Sequence, residues 1–284
     1  MAKRIAITGA AGQLGRELVR VFSGAGDDVL ALSRRDFDIT NASHLARLTA
    51  WEPEIVLNTA AWTDVDGCAR DPERALRING TAAGAVAEAA AEAGAMVVQV
   101  STNEVFDGAL DRPYTEDDAP NPINPYGAAK LAGERAVVAA APRHLVVRTS
   151  WLHGSGVRDF PTKIRGAGLR MLTQGQPLRV VADEWGNPTH VRWLAPTIGR
   201  LLELVMDGST AFGIYHLAGS PATTRLDWAT SILRGFPVAI EAIRLDEYAR
   251  DSRMPPRAVL DVTRAAALGI EPFDWRAPVG DGQQ

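Results

Sequence analysis

The chain begins its folded part with Ile5-Ala6-Ile7-Thr8-Gly9-Ala10-Ala11-Gly12-Gln13-Leu14-Gly15, a short apolar run that passes into a loop of three glycines. A helical pattern follows, and strand, glycine turn and helix are the context of a dinucleotide fingerprint. Gly9 is expected to make the tight turn, Gly12 to let the backbone approach a pyrophosphate, and Gly15 to allow close packing. The helix start at Gln13 and Leu14 would present unpaired N–H groups to the anion. The stretch predicts a dinucleotide site; the alternative is a glycine loop that only joins strand to helix.

Strand-like apolar runs recur downstream, with helical patterns between them. The runs are Val29 to Leu32, Ile55 to Asn58, Met96 to Val100 and Leu145 to Arg148. The helical patterns cover roughly 41–51, 71–93 and 126–141. This alternation predicts an α/β fold with a doubly wound parallel sheet of the Rossmann type over residues 1–150. Ligands of such sheets bind beyond the carboxyl ends of the strands.

The end of the second predicted strand bears on the choice of cofactor. A carboxylate there would bind the ribose 2′-hydroxyl of NAD, whereas an arginine accommodates the 2′-phosphate of NADP. Arg34 and Arg35 follow Ser33 with no acid at that position, which favours NADPH. NADH stays open, because Asp36 or Asp38 is close enough in sequence to reach the adenosine.

Further cofactor contacts are expected after the neighbouring strands. Ala60 and Ala61 are small enough to let a cofactor lie against the backbone, and Ile39 and Thr63 complete the expected set. They lie in loops that follow predicted strands, at the edge where a dinucleotide would bind.

A second motif, Asn124-Pro125-Tyr126-Gly127-Ala128-Ala129-Lys130, has the pattern of a helix start. Asn124 is a good N-cap and Pro125 suits the first helical position. Tyr126 and Lys130 lie four residues apart and so share one helix face. A phenol beside an ammonium is suited to trading a proton with a carbonyl or alcohol. Thr102, at the end of a predicted strand, would add a hydroxyl for the carbonyl oxygen.

Together these motifs resemble the extended short-chain dehydrogenase/reductases, and within them the dTDP-4-dehydrorhamnose reductase family. The matching segments cover most of the chain: Thr8 to Gly15, Asn58 to Asp66, Val105 to Gly108, Tyr126 to Glu134, Arg148 to Trp151, Asp183 with Gly186 to Thr189, and Gly213 to Leu217. The resemblance implies a reductase of the C4 ketone of a dTDP-linked 6-deoxyhexulose, with a nucleotide-linked deoxysugar as its substrate partner.

The resemblance also assigns roles to residues. Thr102, Tyr126 and Lys130 would be the catalytic trio: Tyr126 would donate the proton, and Lys130 would bind the nicotinamide ribose and hold the phenol pKa down. Trp151 resembles the residue that lines the sugar pocket, although a core indole is an equal alternative. The expected substrate contacts are Thr102, Asn103, Glu104, Val105, Phe106, Trp151 and Arg253.

The chain departs from the family at two places. The family reads Ser-Thr-Asp-Tyr where this chain has Ser101-Thr102-Asn103-Glu104, and it keeps only part of the arginine-rich segment near Arg253. Related dehydratases carry Asp-Glu at the first place, but an Asn103 amide is a poor acid. A reductase of another 4-keto-6-deoxyhexose, a sugar-nucleotide dehydratase or epimerase, and a non-catalytic nucleotide-binding regulatory subunit stay as alternatives.

The strict alternation fades after residue 150, where a smaller mixed α/β substrate lobe is expected over 151–284. Within it, 156–173, 190–206 and 223–233 have helical patterns, and Leu178 to Val181 and Ile214 to Leu217 are strand-like. A returning strand or helix of the first domain within this lobe stays open. Residues 281–284 are expected to form a loose tail.

Composition limits the partners. The net charge is −4 with no long basic run, which argues against nucleic acid. No apolar run reaches membrane-spanning length, and the single cysteine, Cys68, excludes an intrachain disulfide. We expect a cytoplasmic protein without a membrane partner and, for want of an acidic cluster, without a metal; a homodimer stays open.

Overall fold

A six-stranded sheet forms the centre of the molecule. The computed structural model describes residues 2–154, 156 and 159–277. The strands are β1 (Arg4–Thr8), β2 (Asp28–Leu32), β3 (Ile55–Asn58), β4 (Met96–Thr102), β5 (His144–Thr149), β6 (Leu152–His153), β7 (Leu178–Val181), β8 (Trp185–Gly186), β9 (Thr189–His190), β10 (Gly213–His216), β11 (Thr223–Thr224) and β12 (Ile240–Ile243). The central sheet has the order β10-β5-β4-β3-β1-β2, and every pairing in it is parallel.

Helices cover both faces of this sheet. They are α1 (Gln13–Gly24), α2 (Ala42–Ala50), α3 (Val65–Arg70), α4 (Pro72–Ala75), α5 (Ala82–Glu92), α6 (Pro125–Ala140), α7 (Phe160–Gln174), α8 (Val191–Met206), α9 (Arg225–Ile232) and α10 (Thr263–Ala266). Successive residues of β1 point to opposite faces, so Ile5 and Ile7 pack with α1 and α8, whereas Ala6 packs with α2, α5 and α6. The predicted doubly wound parallel sheet is confirmed.

The C-terminal part of the chain returns to this sheet. β10 pairs with β5 in the register Tyr215–Val147, and α8 buries Leu194 and Ile198 in the same core as α1. The strand-like run at residues 214–217 therefore belongs mainly to the central sheet rather than to a separate lobe. The remaining short strands pair among themselves, as β12 with β7, β11 with β8, and β9 with β6. The division into two domains at residue 150 stays a prediction.

Two predicted helices differ from the structure. The pattern at 71–93 is divided into α4, a π-helical segment at Leu76–Thr81, and α5. In this segment the buried Asn79 side chain forms two hydrogen bonds with the backbone of Trp62. A hydrophobic periodicity in the sequence does not predict such a π-helical segment. The helix predicted at 156–173 begins at Phe160, and part of its expected start, like the expected tail, lies outside the described residues.

Candidate active site

The glycine loop after β1 is packed as tightly as the sequence requires. Gly9 has φ +67°, and a Cβ there would lie 2.8 Å from the Ala60 nitrogen. A Cβ on Gly15 would lie 2.3 Å from the Gly9 carbonyl oxygen, so any side chain would push α1 away from the loop. Gly12 caps α1 without a side-chain hydrogen bond, which leaves the first N–H groups of the helix available to an anion.

A cleft of about 580 Å³ opens beside this loop at the carboxyl ends of the strands. Its walls come from the loops after β1, β2 and β3 and from the α4 region. Seven of the predicted cofactor residues line it: Gly9, Gly12, Arg34, Asp38, Ile39, Ala60 and Ala61. The volume and the glycine cradle suit the adenosine and pyrophosphate part of a dinucleotide.

Other predicted cofactor residues lie elsewhere. Leu14 is buried in the core, and Gln13 and Gly15 lie with it in the first turn of α1, outside the residues that line the cleft. Arg35 lies in a turn closed by the Asp36 N–H to Ser33 carbonyl bond at 3.0 Å, and this turn directs Arg34 but not Arg35 to the cleft. Thr63 is exposed because the chain turns away into α3. Neither Arg35 nor Thr63 lines this cleft, and their assignment to the cofactor stays a prediction.

Sequence reasoning missed several cleft residues. They are Ala11, Phe37, Thr40, Thr59, Trp62, Arg74, Arg77 and Ile78. Thr59 and Trp62 flank the predicted Ala60–Ala61 pair and were within reach of a motif argument. Arg74 and Arg77 depend on the α4 and π-helical segments, whose path over the cleft is a tertiary feature.

The predicted helix start at Asn124 is present. The Asn124 side-chain oxygen accepts from the Gly127 N–H at 2.7 Å, and Pro125 is the first residue of α6. Tyr126 and Lys130 follow on one face of α6, and both side chains are buried. Gly127 is packed against the Glu104 backbone, where a Cβ would lie 2.0 Å from the carbonyl oxygen. The end of β4 and the start of α6 are thereby held in contact.

Burial governs the titration of the Tyr126–Lys130 pair. The Lys130 ammonium donates to the Val100 carbonyl oxygen at 2.6 Å, and burial lowers its pKa to about 8, opposed by the Glu134 charge. Burial also raises the pKa of the Tyr126 phenol, the Glu104 charge raises it further, and a hydrogen bond with Thr102 lowers it. The expected depression of the phenol pKa is therefore absent from this structure, because Lys130 is committed to Val100 and desolvation dominates.

Glu104 is a carboxyl group of unusual basicity beside this pair. Burial raises its pKa to about 7, the Glu184 charge adds to the rise, and a hydrogen bond from Asn124 with the charges of Arg250 and Arg225 opposes it. The Asn124 amide donates to Glu104 Oε2 at 2.8 Å. A carboxyl group that changes charge near neutral pH next to a phenol is a feature of sites that move protons.

Trp151 follows β5 and lies outside the cleft beside the glycine loop. Its φ of +42° is rare for an aromatic residue, and its indole lies 3.6 Å from the Arg225 guanidinium carbon and 5.6 Å from the Trp228 ring. A Cβ on Gly186 would lie 2.4 Å from the indole. Arg253 is exposed nearby, and its carbonyl oxygen accepts from the Asn124 amide at 3.0 Å.

With this geometry established, comparisons identify the family. The family model described as "RmlD substrate binding domain" matches residues 3–282. The chain belongs to this family. It is 38% identical to a dTDP-4-dehydrorhamnose reductase of Mycolicibacterium smegmatis, across 99% of this chain and 85% of that protein.

Solved structures of family members have the same fold. A dTDP-4-dehydrorhamnose reductase from Clostridium acetobutylicum superposes with a TM-score of 0.87 at 34% identity, covering 96% of this chain and 95% of the other. A Bacillus anthracis dTDP-4-dehydrorhamnose reductase in complex with NADP also gives 0.87, at 29% identity over 96% and 95% of the two chains. The resemblance stated from sequence motifs is confirmed.

Within this family fold, three of the predicted substrate residues have buried side chains. Val105 and Phe106 are fully buried, with Phe106 stacked on Tyr114 at 4.3 Å, so neither side chain offers a surface to a ligand. The Asn103 amide donates to the Ala258 carbonyl at 2.9 Å and is likewise buried. These residues tie the end of β4 to the C-terminal segment, and their assignment to the substrate stays a prediction. Thr102 keeps its hydroxyl beside Tyr126.

The described residues contain neither a metal-ligand cluster nor a membrane-spanning helix. No group of three or more His, Cys, Asp or Glu residues in that part of the chain is arranged to hold a metal ion. None of the described helices is long and apolar enough to cross a membrane.

Proposed function

We propose that the chain reduces the C4 ketone of dTDP-4-dehydrorhamnose to give dTDP-L-rhamnose, using NADPH. The observation that carries the proposal is the buried pair of Tyr126 and Lys130 on one face of α6, with the Thr102 hydroxyl beside the phenol at the end of β4. The family membership and the names of the relatives support it.

Each proposed catalytic residue has a distinct task. Tyr126 donates its phenolic proton to the oxygen that was the ketone, and its raised pKa keeps the phenol protonated at neutral pH. Thr102 orients the carbonyl oxygen. Lys130 would bind the nicotinamide ribose, and its ammonium would place a positive charge near the phenol. Bound NADPH supplies the hydride that becomes the new C4–H bond.

The residues of the cleft suit this cofactor. The glycine cradle leaves no space for side chains at Gly9 or Gly15, and α1 presents free N–H groups. Arg34 lines the cleft at the end of β2, where a guanidinium accommodates a 2′-phosphate. The NADP bound by the Bacillus anthracis relative agrees with this choice over NADH.

The substrate is proposed to lie between Tyr126 and Trp151. Glu104 has one oxygen bonded to Asn124; the other oxygen has no hydrogen-bond partner among the described residues and would accept from a sugar hydroxyl. Arg253 would bind the diphosphate. The cytoplasmic location and the homodimer stay predictions from the sequence.

The direct test is to incubate the enzyme with dTDP-4-keto-6-deoxy-L-mannose and NADPH. Loss of absorbance at the reduced-nicotinamide band and formation of dTDP-L-rhamnose are expected. No loss of absorbance with a cofactor-loaded enzyme would contradict the proposal.

A second candidate is the reduction of a different nucleotide-linked 4-keto-6-deoxyhexose. The observation that favours it is Glu104, which places a buried carboxyl group where the family has tyrosine. Product stereochemistry by NMR, after assays with a panel of ketosugar nucleotides, separates the two. Dehydration is less supported, because the Asn103 amide is held by Ala258 and is not free to serve as an acid.

A further inference from the structure

Three arginines from separate elements line the cleft beside the glycine loop. Arg34 follows β2, Arg74 belongs to α4, and Arg77 belongs to the π-helical segment. Within the described part of the chain, none of the three guanidinium groups has a carboxylate oxygen within 4.0 Å. Three guanidinium groups without a carboxylate partner that line one cleft suit an anionic ligand.

The cleft walls hold Arg74 in place. Its guanidinium carbon lies 4.3 Å from the centre of the Trp62 ring. The loop that carries Trp62 is fixed by Asn79, whose side chain accepts from the Trp62 N–H at 2.8 Å and donates to the Trp62 carbonyl at 2.9 Å. Arg77 lies in the same π-helical segment as Asn79. The hydrogen bonds between Asn79 and Trp62 therefore hold the backbone near both arginines in place.

One acidic residue, Asp38, also lines the cleft, and one of its carboxylate oxygens already accepts hydrogen bonds within the protein. Its Oδ1 accepts from the Thr40 N–H at 2.9 Å and from the Thr40 hydroxyl at 2.8 Å. These bonds and the Arg34 charge lower the Asp38 pKa, so the group is ionised at neutral pH. Three guanidinium groups against one carboxylate leave a net positive cleft, which suits a ligand with more than one phosphate.

The start of α1 already provides for a pyrophosphate, because its N–H groups lack side-chain partners. The arginines therefore need a different anion, and the 2′-phosphate distinguishes NADP from NAD. We propose that Arg74 and Arg77 join Arg34 in binding the adenosine 2′-phosphate, so that cofactor selectivity is set from both the β2 loop and the α4 region. This inference rests on the proposed function and deepens it.

The test measures binding by titration calorimetry, without turnover. The variants are R74M and R77M, with R135M as the matched control, since Arg135 is exposed on α6 and lies outside the cleft. The ligands are NADP⁺, NAD⁺ and 2′,5′-ADP. Each of R74M and R77M should weaken NADP⁺ and 2′,5′-ADP about tenfold, leave NAD⁺ nearly unchanged, and reduce the salt dependence of NADP⁺ binding. R135M should bind all three ligands like the wild type.

The outcomes separate this inference from the proposed function. If wild-type protein prefers NADP⁺ but R74M and R77M weaken NADP⁺ and NAD⁺ equally, or weaken neither, the assignment of these arginines is overturned and the reductase proposal stands. If the wild type binds NAD⁺ more tightly than NADP⁺, the choice of NADPH fails and this inference fails with it. Unchanged thermal melting of the two variants secures the comparison.

Discussion

The cofactor cleft and the buried proton site, defined as Tyr126, Lys130 and Glu104, use charge in opposite ways. The cleft is open and carries guanidinium groups, which stay ionised at any physiological pH. The proton site is largely buried, with Glu104 only partly so, and its three groups all have displaced pKa values: the phenol and the carboxyl group upward, the ammonium downward.

This difference shows that cofactor binding depends on local sequence features, whereas the proton chemistry depends on tertiary packing. The cleft works through permanent charges and glycine geometry, both of which are local properties of short segments. The proton site works through desolvation, which depends on what the fold packs around α6. Substitutions in the cleft should therefore change affinity, whereas substitutions in the proton site should change rate and pH dependence.

The largest effect is expected from Tyr126→Phe. Removing the phenolic oxygen deletes the proposed proton donor, and kcat should fall on the order of 10³-fold. NADPH affinity should stay within about twofold, because the phenol lies outside the cleft that holds the adenosine half. Steady-state kinetics with fluorescence titration of NADPH measures both quantities. Turnover at the wild-type rate would remove Tyr126 from the mechanism.

In the cleft, Gly15→Ala should have the next largest effect. The new Cβ would lie 2.3 Å from the Gly9 carbonyl oxygen, so α1 must move away from the loop that cradles the pyrophosphate. We expect a loss of about 1–3 kcal/mol in stability and a roughly tenfold or greater loss in NADPH affinity. Gly24→Ala, at the other end of α1 with no atom within 4 Å of the new Cβ, is the control and should bind normally. Equal behaviour of the two variants would contradict the close-packing argument.

The sequence predicted the fold well because the signals were local and repeated. Alternating strand and helix patterns indicate the parallel sheet, and Gly9, Gly12 and Gly15 indicate its first crossover. The return of β10 and α8 to the central sheet was foreseen only as an option, since a strand pattern such as Ile214 to Leu217 does not state its neighbour. The π-helical segment depends on a bond from Asn79 to a loop seventeen residues earlier in the chain.

The site was predicted in part, for a similar reason. The N-cap at Asn124 and the shared face of Tyr126 and Lys130 follow from helix geometry alone. The direction of the phenol pKa does not, because it depends on burial and on Glu104 from another element. Phe106 matched a family motif, and the motif belongs to the core rather than to a ligand surface. A segment that matches a family motif can therefore belong to the hydrophobic core rather than to the ligand site.

Trp151→Phe tests whether the side opposite the glycine loop binds sugar. The smaller ring loses contact area while keeping an aromatic face for Arg225, so KM for the sugar nucleotide should rise several-fold, about 1 kcal/mol. NADPH affinity should not change. Trp51→Phe is the matched control, since Trp51 also packs under an arginine, Arg4 at 4.5 Å, but at the opposite edge of the sheet. A normal KM in Trp151→Phe would favour the core role for this indole.

The smallest effect is expected from Glu104→Gln, measured by urea unfolding between pH 4.5 and 8. Glu104 has a pKa of about 7 in the folded protein, against an ordinary value of 4.5. Between these values the folded state holds a proton that the unfolded state has lost, so stability falls as pH rises. Glutamine keeps an acceptor for Asn124 without the charge. The variant should therefore lose this decline and gain on the order of 1 kcal/mol above pH 7, allowing for partial solvent access.

The same substitution should also act on catalysis, because the Glu104 carboxylate raises the phenol pKa. Without that charge, the phenol of Tyr126 should ionise at lower pH. The high-pH limb of the kcat profile should therefore shift to lower pH. Glu116→Gln is the control: Glu116 is another buried carboxyl group with a raised pKa, but it accepts from the His216 N–H, and its loss should leave the kcat profile unchanged. Identical profiles for both variants and the wild type would show that Glu104 does not couple to Tyr126, and the buried site would then resemble the cleft in using fixed rather than titrating charge.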